Sequence, residues 1–210
     1  ICGAAGNVLA AEGHPIGFDP EEIAGSRLVV VWGANLLTTS HHHWHFIEEA
    51  RRRNGATIVC IDPRRTRTAE RCDRHLPVRP GTDRFLAAGL AHVMFAEGLV
   101  DAEQAAVAVD LDALQAEVTS WTPARASDLC GVASDEIVRL AREIGTLRPA
   151  TIRSGIAPEQ TLAGEAFVRS LSALAVLGGH WRNPGGGLFI EASPVLDEGG
   201  AARPDIAPRP

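Results

Sequence analysis

Two short apolar runs dominate the first third of this chain, "RLVVVWG" at 27–33 and "ATIVCID" at 56–62. Neither alternates apolar with polar residues. A continuous β-branched run must be covered on both faces, which is the situation of a central strand in a parallel sheet. Helix signals fill the gap between them. Thr38, Thr39 and Ser40 are candidate N-caps, Trp44, Ile47 and Arg51 recur at helical spacing, and Asn54-Gly55 is a stop. The pattern predicts a βαβ unit with a right-handed crossover.

The alternation continues. A short helix is predicted near 66–72 and a short strand near 74–78. A helix should begin at Asp83, carry Leu86, Leu90, Val93 and Met94 on one face, and close at Gly98. Residues 101–147 read as broken helix, clearest in "SDEIVRLAREIG", where Ser134 is the expected cap and Gly145 the end. "PATIRSG" supplies another strand. A helix over 161–177 should stop at Gly178-Gly179, with a brief strand at 188–190. This order predicts an α/β fold: a three-layer αβα domain with a mostly parallel, open, dinucleotide-binding-like sheet. We assign it to 1–190, and read the Gly/Pro-rich stretch 191–210 as a tail or the start of a further segment.

In such sheets ligands bind beyond the carboxyl ends of the strands. Four predicted strand ends therefore matter: Gly33-Ala34-Asn35, Asp62-Pro63-Arg64-Arg65, Gly81-Thr82-Asp83 and Ser154-Gly155. A carboxylate at Asp62 suits two ribose hydroxyls, or it serves a plain Asp-Pro turn. Arg64 suits a phosphate or the face of a base. Asp83 suits the paired N–H donors of a guanine edge, or is a simple helix N-terminal acid. The turn after the first strand reads "WGANLLTTSH", with one glycine and several side-chain donors. It is a poor GxGxxG, so standard NAD binding fits badly.

Other features carry less. His41 and His45 share the i, i+4 spacing of helical zinc ligands, but no third ligand is evident, and the plainer reading is a solvated helix start. Arginines 64, 65, 67, 71, 74, 79 and 84 crowd one stretch; most should be solvated or paired with Glu70, Asp73 and Asp83. Net charge is −6 and interleaved aromatics are lacking, which disfavours nucleic acid. Cys2, Cys60, Cys72 and Cys130 spell no CxxC, so neither a zinc ribbon nor an iron–sulfur site is written here, and Cys60 reads as a small core residue. No apolar stretch is long enough to cross a bilayer and no signal peptide is legible. The compartment stays open, the cytoplasm being favoured. The chain starts at Ile1 rather than Met, and "ICGAAG" reads as mid-domain sequence from a larger protein.

Together, "LVVVWGANLLTTS", "GATIVCIDPRRTRTAERCDRHLPVRPGTD", "LAHVMFAEGLVD", "GTLRPATIRSG" and "LSALAVLGGHWRNPGGG" resemble the molybdopterin oxidoreductases of the dimethyl sulfoxide reductase, formate dehydrogenase and nitrate reductase type, in the same order. The resemblance implies an αβα domain cradling one guanosine-diphosphate arm of a bis(molybdopterin guanine dinucleotide) cofactor carrying molybdenum or tungsten. It implicates Gly33, Asn35 and Thr39 near the phosphates or pterin. Asp62, Pro63, Arg64 and Arg65 match the ribose and guanine loop, and Gly81, Thr82 and Asp83 the guanine loop. Cys2 matches a cofactor-lining segment, and Ser154 sits where the family approaches the pterin.

The implied partners are the remaining domains of the same enzyme, an electron-transfer partner and a small-molecule substrate. The metal ligand and an iron–sulfur cluster would lie upstream, so the fragment alone should not turn over. One stretch departs from the family: after "RSG" stands Ile156-Ala157-Pro158-Glu159-Gln160-Thr161, where a glycine, a glutamine and a basic or histidine residue are usual. The alternatives are a nucleotide-binding dehydrogenase fragment and a non-catalytic interaction domain that keeps the fold.

Overall fold

A computed structural model describes residues 18–190. Its centre is a five-stranded sheet in the order β3-β2-β1-β4-β5. The strands are β1 (Leu28–Trp32), β2 (Thr57–Ile61), β3 (Arg74–Leu76), β4 (Ala150–Ser154) and β5 (Gly187–Phe189), and every pairing is parallel. The helices are α1 (Leu36–Thr39), α2 (His41–Asn54), α3 (Arg67–Arg71), α4 (Asp83–Ala96), α5 (Ala102–Ala105), α6 (Leu111–Val118), α7 (Pro123–Cys130), α8 (Ser134–Thr146) and α9 (Gly164–Leu177). The expected three-layer α/β architecture is the one observed.

All five residues of β1 are buried, as an unalternated run requires. Successive side chains still point to opposite faces. Val29 and Val31 join Ile58, Leu36, Trp44 and Ile47 on the α1/α2 side. Leu28, Val30 and Trp32 join Val59, Ile61 and Ile152 against α4, α8 and α9, through Leu86, Leu90, Ile137, Leu140, Phe167 and Leu171. Each such side chain contributes about 1.5–3 kcal/mol by leaving water.

Local signals mostly land where the sequence placed them. Gly55 closes α2 at φ 63, its N–H reaching back to Arg51 O at 3.0 Å. Caps differ in detail. Ser40 occupies the α2 N-cap position without a side-chain cap, and α1 precedes it unforeseen. The α8 N-cap is Ala133 rather than Ser134, whose hydroxyl donates to Pro123 O at 3.3 Å instead. The arginine pairing also needs correction. Arg74 pairs with Glu143 and Glu136 of α8, while Asp73 takes Arg51. Arg79 donates to the carbonyls of Asp128 and Leu129 at 2.6 and 3.1 Å, tying the loop before α4 to the end of α7.

The chain runs from β1 outward to β2 and β3, then returns to place β4 on β1's other edge. The carboxyl ends of β1 and β4 therefore flank the point where the winding reverses, the usual mouth of a ligand crevice.

Candidate functional site

The two central strand ends interlock. Gly33 N donates to Ile61 O at 2.7 Å, and Gly155 N donates to Trp32 O at 2.8 Å. A Cβ on Gly155 would sit 2.1 Å from Gly33 O, so only glycine permits this approach. Gly33 itself has φ +60, and a Cβ there would meet the Pro158 ring at 2.4 Å. Pro158, from the stretch that departs from the family pattern, thus lies against the first strand-end turn. Ser154 is buried and its hydroxyl donates to Gly155 O at 3.1 Å.

Asn35 is occupied with structure. Its side-chain oxygen accepts from Thr68 Oγ1 at 2.9 Å, and that same hydroxyl accepts from Leu37 N at 3.0 Å. Thr68, fully buried, thereby ties α1 to α3. Thr39 Oγ1 donates to Asn35 O at 3.1 Å on the exposed side of α1.

The β2 end is more open. Asp62 Oδ1 accepts from Arg64 N at 2.8 Å, an Asp-Pro-Arg turn of the kind that prolines and acids favour. The His75 ring nitrogen meets Asp62 O at 2.8 Å. Pro63, Arg64 and Arg65 are exposed, and neither arginine makes an ion pair among the described residues. Gly81, at φ +77, has nothing within 4 Å of where a Cβ would be. Thr82 Oγ1 donates to Arg79 O at 2.6 Å.

Asp83 opens α4 but is buried, 7% exposed. Its Oδ1 accepts from the Trp32 indole N–H at 2.8 Å. Burial pushes its carboxyl above the ordinary value; the Trp32 hydrogen bond opposes this, and the nearby Asp62 charge adds to it. Trp32 is paired in register with Ile61, the residue before Asp62, so both carboxylates stand at the carboxyl ends of neighbouring strands. Trp32 is the residue the sequence reading missed, although a tryptophan at the last position of a buried strand needs a partner for its N–H.

Arg153 was also missed. It is buried on β4, lies 5.2 Å over the Phe189 ring, and donates to Ile190 O at 2.9 Å, to Ser154 O and to His43 Nδ1. Burial lowers it to about 10, still far above neutrality, so it is a fixed positive charge beside the strand ends. His41 and His45 are exposed on α2, and no group of metal-ligating side chains assembles among the described residues. Cys2 lies outside the described residues. A groove of about 660 Å³ between α4, α6 and α9 is lined by none of the candidate residues.

The sequence profile of the molybdopterin oxidoreductases matches residues 8–196. The chain belongs to the molybdopterin oxidoreductase family. Probable oxidoreductase YoaE of Bacillus subtilis is 34% identical over 98% of this chain and 31% of its own length. Dimethyl sulfoxide reductase DmsA of Escherichia coli is 37% identical over 78% of the chain and 23% of its own. Formate dehydrogenase H of Escherichia coli is 32% identical over 80% and 23%. Among solved structures, acetylene hydratase from Pelobacter acetylenicus superposes with a TM-score of 0.68 at 25% identity, over 77% of this chain and 24% of that one. The chain therefore spans roughly a quarter to a third of the length of these relatives.

Proposed function

We propose that this chain is the domain of a molybdopterin oxidoreductase that holds one guanosine-diphosphate arm of bis(molybdopterin guanine dinucleotide). The observation that carries the reading is that Asp62 follows β2 and Asp83 is bonded to Trp32 at the end of neighbouring β1, with the exposed Arg64 and Arg65, which make no ion pair among the described residues, next in the chain after Asp62.

The residues fit such a group on the β2/α4 side. Asp62 keeps one oxygen outside the turn for ribose hydroxyls, and the exposed arginines suit phosphate oxygens. Asp83, fixed by Trp32, has its second oxygen for the N–H donors of a guanine. The β4 side fits less well. Asn35 is engaged by Thr68, Ser154 is buried, and Pro158 covers Gly33, so contacts toward the pterin must come from backbone there.

When bound, the metal–pterin group supplies the two-electron redox step with a small-molecule substrate. The work of this chain is to orient the guanosine arm, neutralise its phosphates and exclude water from the base. The substrate, the electron-transfer partner and any iron–sulfur cluster belong to the remaining domains of the intact enzyme. An NAD-type reading is disfavoured by the single glycine at 33 and by the proline against it.

The test is the guanine released on acid hydrolysis of the intact protein. Asp83→Asn and Asp62→Asn should each lower guanine content and molybdenum content together. Full guanine content in both variants would overturn the reading in favour of a domain that keeps the fold without the ligand.

A further inference from the structure

β4 carries a cation where its neighbours carry apolar residues. Ile152 joins the core on the α4 side, so Arg153 faces the opposite way, in register with Val31 of β1 and Phe189 of β5. It is 8% exposed. Its Nη1 donates to the carbonyls of Ser154, Phe189 and Ile190, the last at 2.9 Å, and its Nε donates to His43 Nδ1 at 3.3 Å. All four partners are neutral, and Arg153 makes no ion pair among the described residues. Burying a charge without a counter-charge is costly, and an anion bound beside it removes the cost.

The donors that remain are specific. His43 Nδ1 accepts, so the imidazole proton sits on Nε2. Neither His43 Nε2 nor Arg153 Nη2 makes a hydrogen bond among the described residues. Both groups are held in place by one ring: the imidazole meets Phe189 edge to face at 5.1 Å, and the guanidinium lies 5.2 Å over it. His43 stands in the first turn of the 14-residue α2, whose N-cap Ser40 makes no side-chain bond, and the start of a helix favours an anion. A carboxylate prefers two parallel N–H groups of one guanidinium. Arg153 cannot offer that fork, because Nε and Nη1 are both engaged. One cationic and one neutral donor on separate groups suit two oxygens of a tetrahedral oxyanion instead.

We propose that Arg153 Nη2 and His43 Nε2 form a phosphate site at the carboxyl end of β4, on the far side of β1 from the Asp62–Arg65 loop. Free inorganic phosphate and a phosphate of the guanosine arm present the same chemistry to it. The site stands independently of the cofactor reading, and the arm as its source rests on that reading. Burial, and then the Arg153 charge, hold the His43 imidazole below its ordinary value, so it meets the anion as a neutral donor.

Calorimetric titration of inorganic phosphate into the intact protein prepared without cofactor, at an ionic strength held constant with chloride, tests the site. A saturable site should appear in the parent, weakened about tenfold or more in Arg153→Met, which loses the charge-assisted bond. His43→Phe should weaken it several-fold while keeping an aromatic edge on Phe189. His43 is only half-buried, so this second variant gives the answer even where the buried substitution does not fold. Phosphate should also raise the melting temperature of the parent more than that of either variant. No phosphate bound by the parent, or equal affinity in the folded variants, would overturn the proposal. The holoenzyme separates the two sources. With the arm in the site, it should take up no inorganic phosphate, and Arg153→Met should lose guanine. With free phosphate as the ligand, it should bind phosphate as the cofactor-free protein does, and Arg153→Met should keep its guanine. Either result supports the site. Full guanine content in Asp62→Asn and Asp83→Asn, with phosphate still bound, would remove the cofactor reading and leave the phosphate site standing.

Discussion

The indole N–H of Trp32, at the end of the first strand, donates to the Asp83 carboxylate, at the start of a helix 51 positions later, at 2.8 Å. The bond fixes the acid that the proposed guanine contact needs; burying that acid costs stability, because burial disfavours the ionised form, and the bond offsets part of the cost. The sign is definite. A carboxyl whose folded value is raised favours folding below its ordinary value, and loses that contribution as pH rises through the folded value. Asp83→Asn mimics the protonated form and keeps an acceptor for Trp32. Its urea midpoint should equal or exceed that of the parent at neutral pH, and the difference should vanish in acid. Guanine affinity should fall about tenfold or more, the loss of a charge-assisted bond worth roughly 1.5–3 kcal/mol.

Asp62 serves its turn and, as proposed, the sugar, and two substitutions separate the roles. Asp62→Asn keeps an acceptor for Arg64 N, so unfolding of the apo-protein should shift by less than about 1 kcal/mol. Asp62→Ala removes the turn bond as well and should cost about 1 kcal/mol more. Guanine content should drop in both. Loss of stability without loss of guanine would assign Asp62 to the turn alone.

Two glycines at strand ends should respond in opposite measure. Gly155→Ala drives a methyl to 2.1 Å from Gly33 O, a backbone clash that side-chain motion cannot relieve. It should cost more than about 3 kcal/mol. Gly81→Ala meets no atom and bears only its positive φ, about 1–2 kcal/mol. Chemical denaturation of the two variants side by side gives the comparison.

His180 predicts an acid limb. It is fully buried and its Nδ1 accepts from Ala150 N at 3.2 Å. Burial, with the Arg148 guanidinium adding, pushes it down from 6.5 to about 4. The unfolded chain takes the proton near 6.5 and the folded chain only near 4. The contribution is therefore complete above 6.5 and fades as pH falls toward 4, by up to about 3 kcal/mol over the whole shift. His180→Gln should flatten the stability profile across that window, read from denaturant midpoints.

β1 and β2 were legible because they are apolar runs ended by Gly33 and by Asp62-Pro63, which suit a sheet covered on both faces; β4, with Thr151, Arg153 and Ser154, was marked by its bounds, Pro149 and Gly155. The strand-end loops were legible for the same reason. What those residues touch was not. Asn35 looked like a free donor until Thr68, 33 positions away, was found on it. The arginines of 64–84 were expected to be solvated or paired with Glu70, Asp73 and Asp83, but α8 delivers Glu143 to Arg74 from 69 positions away. Side-chain pairings across the fold leave no periodic trace in a sequence. The unusual Ile156–Thr161 stretch did announce itself, and Pro158 against Gly33 is its physical content.

The sheet order carries a consequence for synthesis. β1 finds one neighbour soon, at Thr57, and the other only at Ala150. While a ribosome extends the chain between them, the second edge of Leu28–Trp32 shows bare amides and carbonyls on an apolar strand, the kind of edge on which nascent chains stick to one another. The meeting of Gly33 with Gly155 cannot occur before that interval ends. Whatever is to be seated at the strand ends must arrive after it, and a chaperone that shields this one edge would guard folding and loading together.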